Sequence, residues 1–301
     1  MFQHLKAIWT YRYFWLSLVK MDLVTRYRRS VLGIAWSLLT PLAMTAVYCI
    51  VFSQLNGADW KIYAQRTLAG IAVWELLRNT LVQGCKSFLQ NEAYIRLSPL
   101  PYGIYPLRTV MGNSIHFFIT MTVLIAAVAV LNPSIYVQPT IWAAVPGILL
   151  AMLFGWGIAT IAAFGTTYFH DISHLIEVST LAIFFFLTPI IYGRELLDSK
   201  GLSWLVDVNP IYVFIEIIRD PIVEGTLPGL ERYGFAAGLT LASFALAMGV
   251  IKQTEPRGER PELRIGTVLQ DRPHGLRRRL WLGLQQQRHA TRRVRGGHRS
   301  A

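Results

Sequence analysis

The chain has 301 residues, 53% of them hydrophobic and only 15% charged, and it carries a net charge of +12. Soluble domains run nearer a quarter charged, and this much apolar side chain exceeds what one soluble core hides; it fits a chain whose outer positions face lipid. The charge is uneven, with 13 Lys/Arg against 4 Asp/Glu in residues 252–301 and 16 against 13 before them.

A helical span needs roughly 20 mainly apolar residues to cross ~30 Å of hydrocarbon. In chain order, residues 11–29 (YRYFWLSLVKMDLVTRYRR) mix aromatic with basic residues. Phe14, Leu18, Met21 and Val24 recur there at helical steps, which predicts a helix lying in the membrane surface. Apolar runs then predict spans over about 33–54, 67–85, 105–131, 141–165, 175–192 and 235–251. Pro41 and Pro189 fall within spans and predict a kink or, at Pro189, a re-entrant turn. Asn209-Pro210 reads as an N-cap followed by proline at the first helical position, with Pro221 as the stop. The resulting helix, about 209–220, is too short to cross. The expected fold is an all-α integral membrane protein. It has six transmembrane helices, an N-terminal interfacial helix, and a short re-entrant or interfacial helix before the last span. The expected divisions are 1–30 (interfacial helix), 31–252 (transmembrane domain) and 253–301 (a basic tail).

Basic residues near span ends stay in the cytoplasm. Lys6, Arg12, Lys20, Arg26, Arg28 and Arg29 precede the first span, opposed only by Asp22. Six spans then place both termini inside, with Lys86 and Arg96 in an inner loop and the uncharged 132–140 loop outside. The start of the chain lacks an apolar h-region and a small-residue cleavage site, so no removable signal peptide is expected.

The sequence contains no G-x-x-x-x-G-K-[ST] phosphate loop and no H-E-x-x-H. Cys49 and Cys85 show no metal spacing and suggest no disulfide framework. His170 and His174 share a helical spacing, but zinc sites normally need three or four ligands, and no metal is expected. Glu75 and Arg78 lie within the second span, where a charge needs a cavity or a partner. They read either as an i,i+3 pair lining a pathway or as residues near the outer end of a later-starting span. Arg26, Arg28 and Arg29 read either as contacts for a phosphate or lipid headgroup or as topology signals alone.

The phrase DLVTRYRRSVLGIAWSLLTPL (22–42) resembles the permease subunits of type-2 ATP-binding-cassette exporters, in the branch that exports O-antigen, capsule and teichoic-acid chains. Asp22, Arg26, Tyr27, Arg28, Ser30, Leu32, Gly33 and Trp36 carry that match. NEAYIRLSPLPYGIYPL (91–107), TPIIYGRELL (188–197) and VNPIYVFIEIIRDPIVEG (208–225) resemble later elements of the same family in the same order. The resemblance covers about 11–251. It implies a transport subunit and no enzyme. It implies a homodimer in the bacterial cytoplasmic (inner) membrane, joined by two copies of a separate ATPase. ATP and Mg belong to that ATPase, with no cofactor in this chain, and a lipid-linked polysaccharide is the substrate, with membrane lipids as neighbours. Asn91, Glu92, Tyr94 and Arg96 would then couple the permease to the ATPase. Asn209, Pro210, Glu216 and Arg219 would belong to a helix at the outer exit.

Two features depart from the family pattern. His170-Asp171 stands where a basic residue usually precedes Asp, and residues 253–301 extend beyond the usual end. That extension reads as a disordered basic tail attracted to anionic lipid, as a nucleic-acid-binding tail, or as the product of a shifted reading frame. No nucleic-acid partner is expected for the transmembrane domain. The alternatives for function are a type-2 permease for drugs or lipids, and a membrane-embedded polyprenyl-sugar transferase. The transferase would need an acid or base among Asp22, Glu92, Asp171 and Glu177.

Overall fold

The structure is a computed structural model that describes residues 2–28, 30, 32–56, 59–97, 100–131, 139–192, 194–207 and 209–254. Arg29, most of the predicted outer loop and the tail from 255 onward lie outside the described residues. Among the described residues every regular element is helical.

Two helices, α1 (Phe2–Thr10) and α2 (Arg12–Tyr27), precede the first long helix. A helix is therefore present over the residues predicted to form one, and it packs on the bundle through one side. Trp15, Leu18 and Val19 are buried, whereas Met21 and Val24 are exposed. Trp15, Val19 and Ile8 of α1 close over Ile104 and Leu107. A helix advances about 100° per residue, so this packing direction turns Met21 and Val24 outward.

Leu32 leads into a 3-10 turn at Gly33–Ala35, where Gly33 has φ +52°. α3 (Trp36–Asn56) contains Pro41 within its length, and α4 (Trp60–Gln90) follows. Asp59 caps α4 by accepting from the Lys61 N–H at 3.0 Å. After Asn91 come α5 (Glu92–Leu97), α6 (Ile104–Leu131), and a 3-10 turn leading into α7 (Ala144–Tyr168). α8 (Asp171–Val178) continues through a π-helical turn at Ser179–Phe184 and stops after Phe185–Leu187. α9 (Arg194–Asp198), α10 (Ser203–Asp207), α11 (Pro210–Arg219) and α12 (Leu230–Thr254) are the last of the described elements.

Four of these segments are long and apolar enough to cross a membrane: Gly33–Phe52, Ile104–Leu131, Pro139–Tyr168 and Leu230–Gln253. The other two predicted spans take different forms. α4 has 31 residues and is interrupted by Lys61, Arg66, Glu75, Arg78 and Lys86, so its length suffices while its composition is mixed. The predicted fifth span ends at Leu187, with Thr188 extended before Pro189. A residue before proline is pushed out of the helical region by the ring.

α4 is the core of the bundle and packs against α3, α6, α7 and α11. Leu68, Ile71 and Val73 on α4, Phe154 on α7 and Val213, Phe214, Ile217 and Ile218 on α11 belong to the main apolar cluster. Small residues bring the backbones close, as they do between membrane helices generally. A Cβ added to Gly84 would meet the Ala159 Cβ of α7 at 2.7 Å, and one on Gly157 would meet the Ser243 hydroxyl of α12 at 2.4 Å.

α11, expected as a short re-entrant or interfacial helix, is wedged among α4, α7 and α12. Val213, Phe214, Ile215, Ile217 and Ile218 are wholly buried. The α-helix stops at Arg219, just before Pro221, as expected. A π-helical turn carries Asp220–Glu224 on to Gly225, at φ +67°. Proline lacks the N–H that the α register needs, and the wider turn takes the chain past it.

Candidate functional site: a basic cleft between α2, α4 and α6

At the end of the bundle where α4 meets α5, three helices are tied by one side chain. Arg108, on the first turns of α6, donates from Nε to Asp22 Oδ2 of α2 at 2.5 Å and from Nη2 to Asp22 Oδ1. Its Nη1 donates to Asn91 Oδ1. Asn91 in turn donates from Nδ2 to the Ser87 carbonyl at 2.7 Å, and its backbone N–H reaches Phe88 O. The guanidinium fork thus satisfies a carboxylate on one edge and an amide on another.

This arrangement gives Asn91 partners on two sides. It is 4% exposed, and its amide is spent within the chain. It stands at the bend between α4 and α5. Glu92 and Tyr94 are half-buried on α5, and the Tyr94 ring meets Phe14 of α2 edge-to-face at 6.1 Å. The backbone of Arg96 lies in α5, while its side chain is outside the described residues.

Beside the clamp, Arg26 Nη1 lies 3.0 Å from His116 Nε2, and Tyr27 Oη lies 3.3 Å from His116 Nδ1. Guanidinium only donates, so Nε2 accepts and the imidazole proton sits on Nδ1, directed at the tyrosine oxygen. The tyrosine and imidazole rings also meet edge-to-face at 5.9 Å. Arg28, two residues on, is exposed and does not line the cleft. Arg26, Lys86, Arg108, Asn113 and His116 are among the residues that enclose a cavity of about 500 Å3. Lys86 Nζ is 3.5 Å from Glu177 on α8.

Glu75 and Arg78 lie in the middle of α4. No ion pair joins them. Arg78 Nη1 donates to Asn79 Oδ1 at 3.3 Å, while its Nε is buried without a hydrogen-bond partner.

At the opposite end, Asn209 caps α11 as its spacing predicts. Its Oδ1 accepts from the N–H groups of Ile211 and Tyr212 at 3.0 and 3.4 Å, and Pro210 opens the helix. Its Nδ2 donates to Thr188 Oγ1 at 2.8 Å, which joins the cap to the break after α8. Glu216 lies 3.3 Å from Arg232 Nε. Arg219 is buried and donates from Nε to Asp220 Oδ1 at 3.1 Å, with the Tyr212 ring 5.9 Å away. Burial pushes the Asp220 carboxyl up to about 6, against the pull of Arg219.

Sequence reasoning missed Arg108, His116 and Thr188. Arg108 carried a usable signal, because an arginine just inside an apolar span calls for a named partner. Nothing local marks which histidine or threonine finds a partner.

The sequence model of the ABC-2 type transporter family matches residues 13–223 of this chain. An O-antigen export system permease protein RfbA of Klebsiella pneumoniae is 27% identical over 209 residues, 68% of this chain and 78% of that protein. A second Klebsiella pneumoniae protein of the same name is 26% identical over 230 residues, 75% of this chain and 85% of its own length. The protein of that name from Myxococcus xanthus is 24% identical over 235 residues, 77% of this chain and 88% of its own.

Proposed function

The chain belongs to the ABC-2 type transporter family, and from that premise we propose that it is the transmembrane permease subunit of an ATP-driven exporter of a lipid-linked cell-surface polysaccharide. The observation that carries this reading is the agreement of the family match with three relatives whose names all specify O-antigen export. The polymer is an O-antigen-like glycan moved across the bacterial cytoplasmic membrane. ATP and Mg are bound by a separate ATPase.

In this reading the chain crosses six times with both termini in the cytoplasm. Four crossings are the long apolar segments. α4, about 46 Å long at 1.5 Å per residue, exceeds the ~30 Å hydrocarbon and supplies the fifth. α8 with its π-helical turn supplies the sixth. α11 then enters the bundle from the outer side without crossing. The inner end is the one with Arg26, Lys86 and Arg108, in keeping with the placement of basic residues. Two copies pair, and the sparsely buried face of α3 is available for lipid or for the second copy.

α5 is the contact for the ATPase, through Glu92 and Tyr94. The Arg108 clamp makes α2, α5 and the end of α4 one mechanical unit, so force on α5 reaches the long helix at the core. The test is export in cells lacking the native permease. This chain should restore surface polysaccharide only with a hydrolysis-competent ATPase subunit, and the two should co-purify. Export that persists with no ATPase subunit present would overturn the reading.

A further inference from the structure

The cleft between α2, α4 and α6 holds more hydrogen-bond donors than its own acceptors use. Arg26 spends one N–H on His116, and among the described residues no carboxylate lies within ion-pair distance of it. Asn113 lines the same cavity, is 5% exposed, and its Nδ2 has no hydrogen-bond partner. An amide nitrogen is a donor with two hydrogens, so a buried one without an acceptor in the chain is a place where an incoming oxygen, of water or of a ligand, can be held. Lys86 stands at the rim, half-exposed, with Glu177 at 3.5 Å as its only ion-pair partner among the described residues. Asp22, the one carboxylate lining the cavity among the described residues, is already held by two nitrogens of Arg108.

We propose that this cleft binds a phosphate group, held by the free edge of the Arg26 guanidinium and the Asn113 amide, with Lys86 at the rim. A guanidinium fork matches two oxygens of one phosphate. The amide adds a donor that no monatomic anion requires, and the third oxygen points toward the rim. The cavity of about 500 Å3 lies within the range of small-molecule sites and leaves space for the group esterified to the phosphate. Arg28 takes no part. The neutral His116, by accepting from Arg26, orients the guanidinium without competing for the anion. Arg108 is a positioning residue here, because its donors are committed to Asp22 and Asn91.

The inference is independent of the export reading, since binding is measured without an ATPase and without transport. The full-length chain is purified in detergent with no phosphate added. Inorganic pyrophosphate is offered as the soluble probe, against chloride at matched ionic strength. Phosphatidylglycerol is offered as the lipid probe, against diacylglycerol, and retention is read by native mass spectrometry. Wild type should bind at least one phosphate probe above its control. Arg26→Gln should weaken that binding at least about tenfold, as expected for loss of a bidentate charged contact. Arg26→Lys, which keeps the charge and loses the fork, should fall between, and Asn113→Leu should weaken binding as well. Binding of phosphatidylglycerol alone assigns a lipid headgroup. Binding of pyrophosphate alone assigns a soluble phosphate, and binding of both assigns the phosphate group itself. No binding above the controls overturns the proposal, as does equal binding by wild type, Arg26→Gln and Asn113→Leu. If a variant fails to fold, Lys86→Gln at the half-exposed rim replaces it, and unchanged binding there and in the folded variant is again a negative result.

Discussion

Arg108 on α6 reaches Asp22 on α2 with Nε 2.5 Å from Oδ2, and the same guanidinium donates to Asn91 at the α4–α5 bend. One side chain therefore sets the relative positions of three helices at the end we assign to the cytoplasm. Arg108→Gln keeps a polar side chain but loses the fork and the charge. It should reduce export at least about tenfold, in line with a lost bidentate charged contact, while leaving the protein folded. Asp22 is half-exposed, so the pair itself is worth only about 1 kcal/mol. The exchange of both residues, Asp22→Arg with Arg108→Asp, should recover part of the lost activity, because it restores the pair while leaving Asn91 unsatisfied. Measured surface polysaccharide decides the first prediction, and a double-mutant cycle the second.

Asn209 performs two tasks, capping α11 through Oδ1 and holding Thr188 through Nδ2. Asn209→Ala removes both and should lower stability by roughly 1–2 kcal/mol from the cap alone. Asn209→Asp keeps the cap and loses the donor to Thr188. Thermal unfolding of the intact chain in detergent should rank wild type above Asn209→Asp, and Asn209→Asp above Asn209→Ala. If Asn209→Asp matches Asn209→Ala, the link to Thr188 rather than the cap dominates.

Gly84 and Gly157 mark the closest helix contacts, and in each case an added Cβ would lie under 3 Å from its neighbour. Gly84→Val forces α4 away from α7 and should cost about 1–3 kcal/mol through overpacking. Gly112, where an added Cβ meets nothing within 4 Å, is the matched control, and Gly112→Ala should be neutral. Melting temperatures of the two variants test the contrast.

The buried Arg219–Asp220 pair should respond to pH in a defined direction. Arg219→Met leaves the Asp220 carboxylate without its closest cation, which costs about 3–5 kcal/mol when a buried pair is broken from one side. Asp220 already has its carboxyl pushed up to about 6 by burial, and Arg219 opposes that rise. Its removal therefore raises the carboxyl further. A folded-state value above the unfolded one gives stability that is present at low pH and lost as pH rises through the folded value. The variant should thus be closer to wild type near pH 5 than near pH 8. Arg219→Met with Asp220→Asn should lose that pH dependence. Unfolding measured at the two pH values separates these outcomes.

Composition and local periodicity alone determined that this chain is helical, that it borders lipid, where most of the long helices run, and that Asn209 caps the helix after it. Those properties depend on neighbours a few positions apart, and such neighbours are adjacent in the sequence itself. The ordered motifs likewise carried the family. Tertiary structure alone decided the rest. Asp22 and Arg108 stand 86 positions apart, Arg26 and His116 90, and Thr188 and Asn209 21. No local pattern encodes those pairings. The same holds for α11, whose capping signals marked a short helix, re-entrant or interfacial, and whose place among α4, α7 and α12 only packing set. It holds for α4 as well. Hydropathy undervalues a helix whose polar residues face other helices, and only packing reveals which way they point.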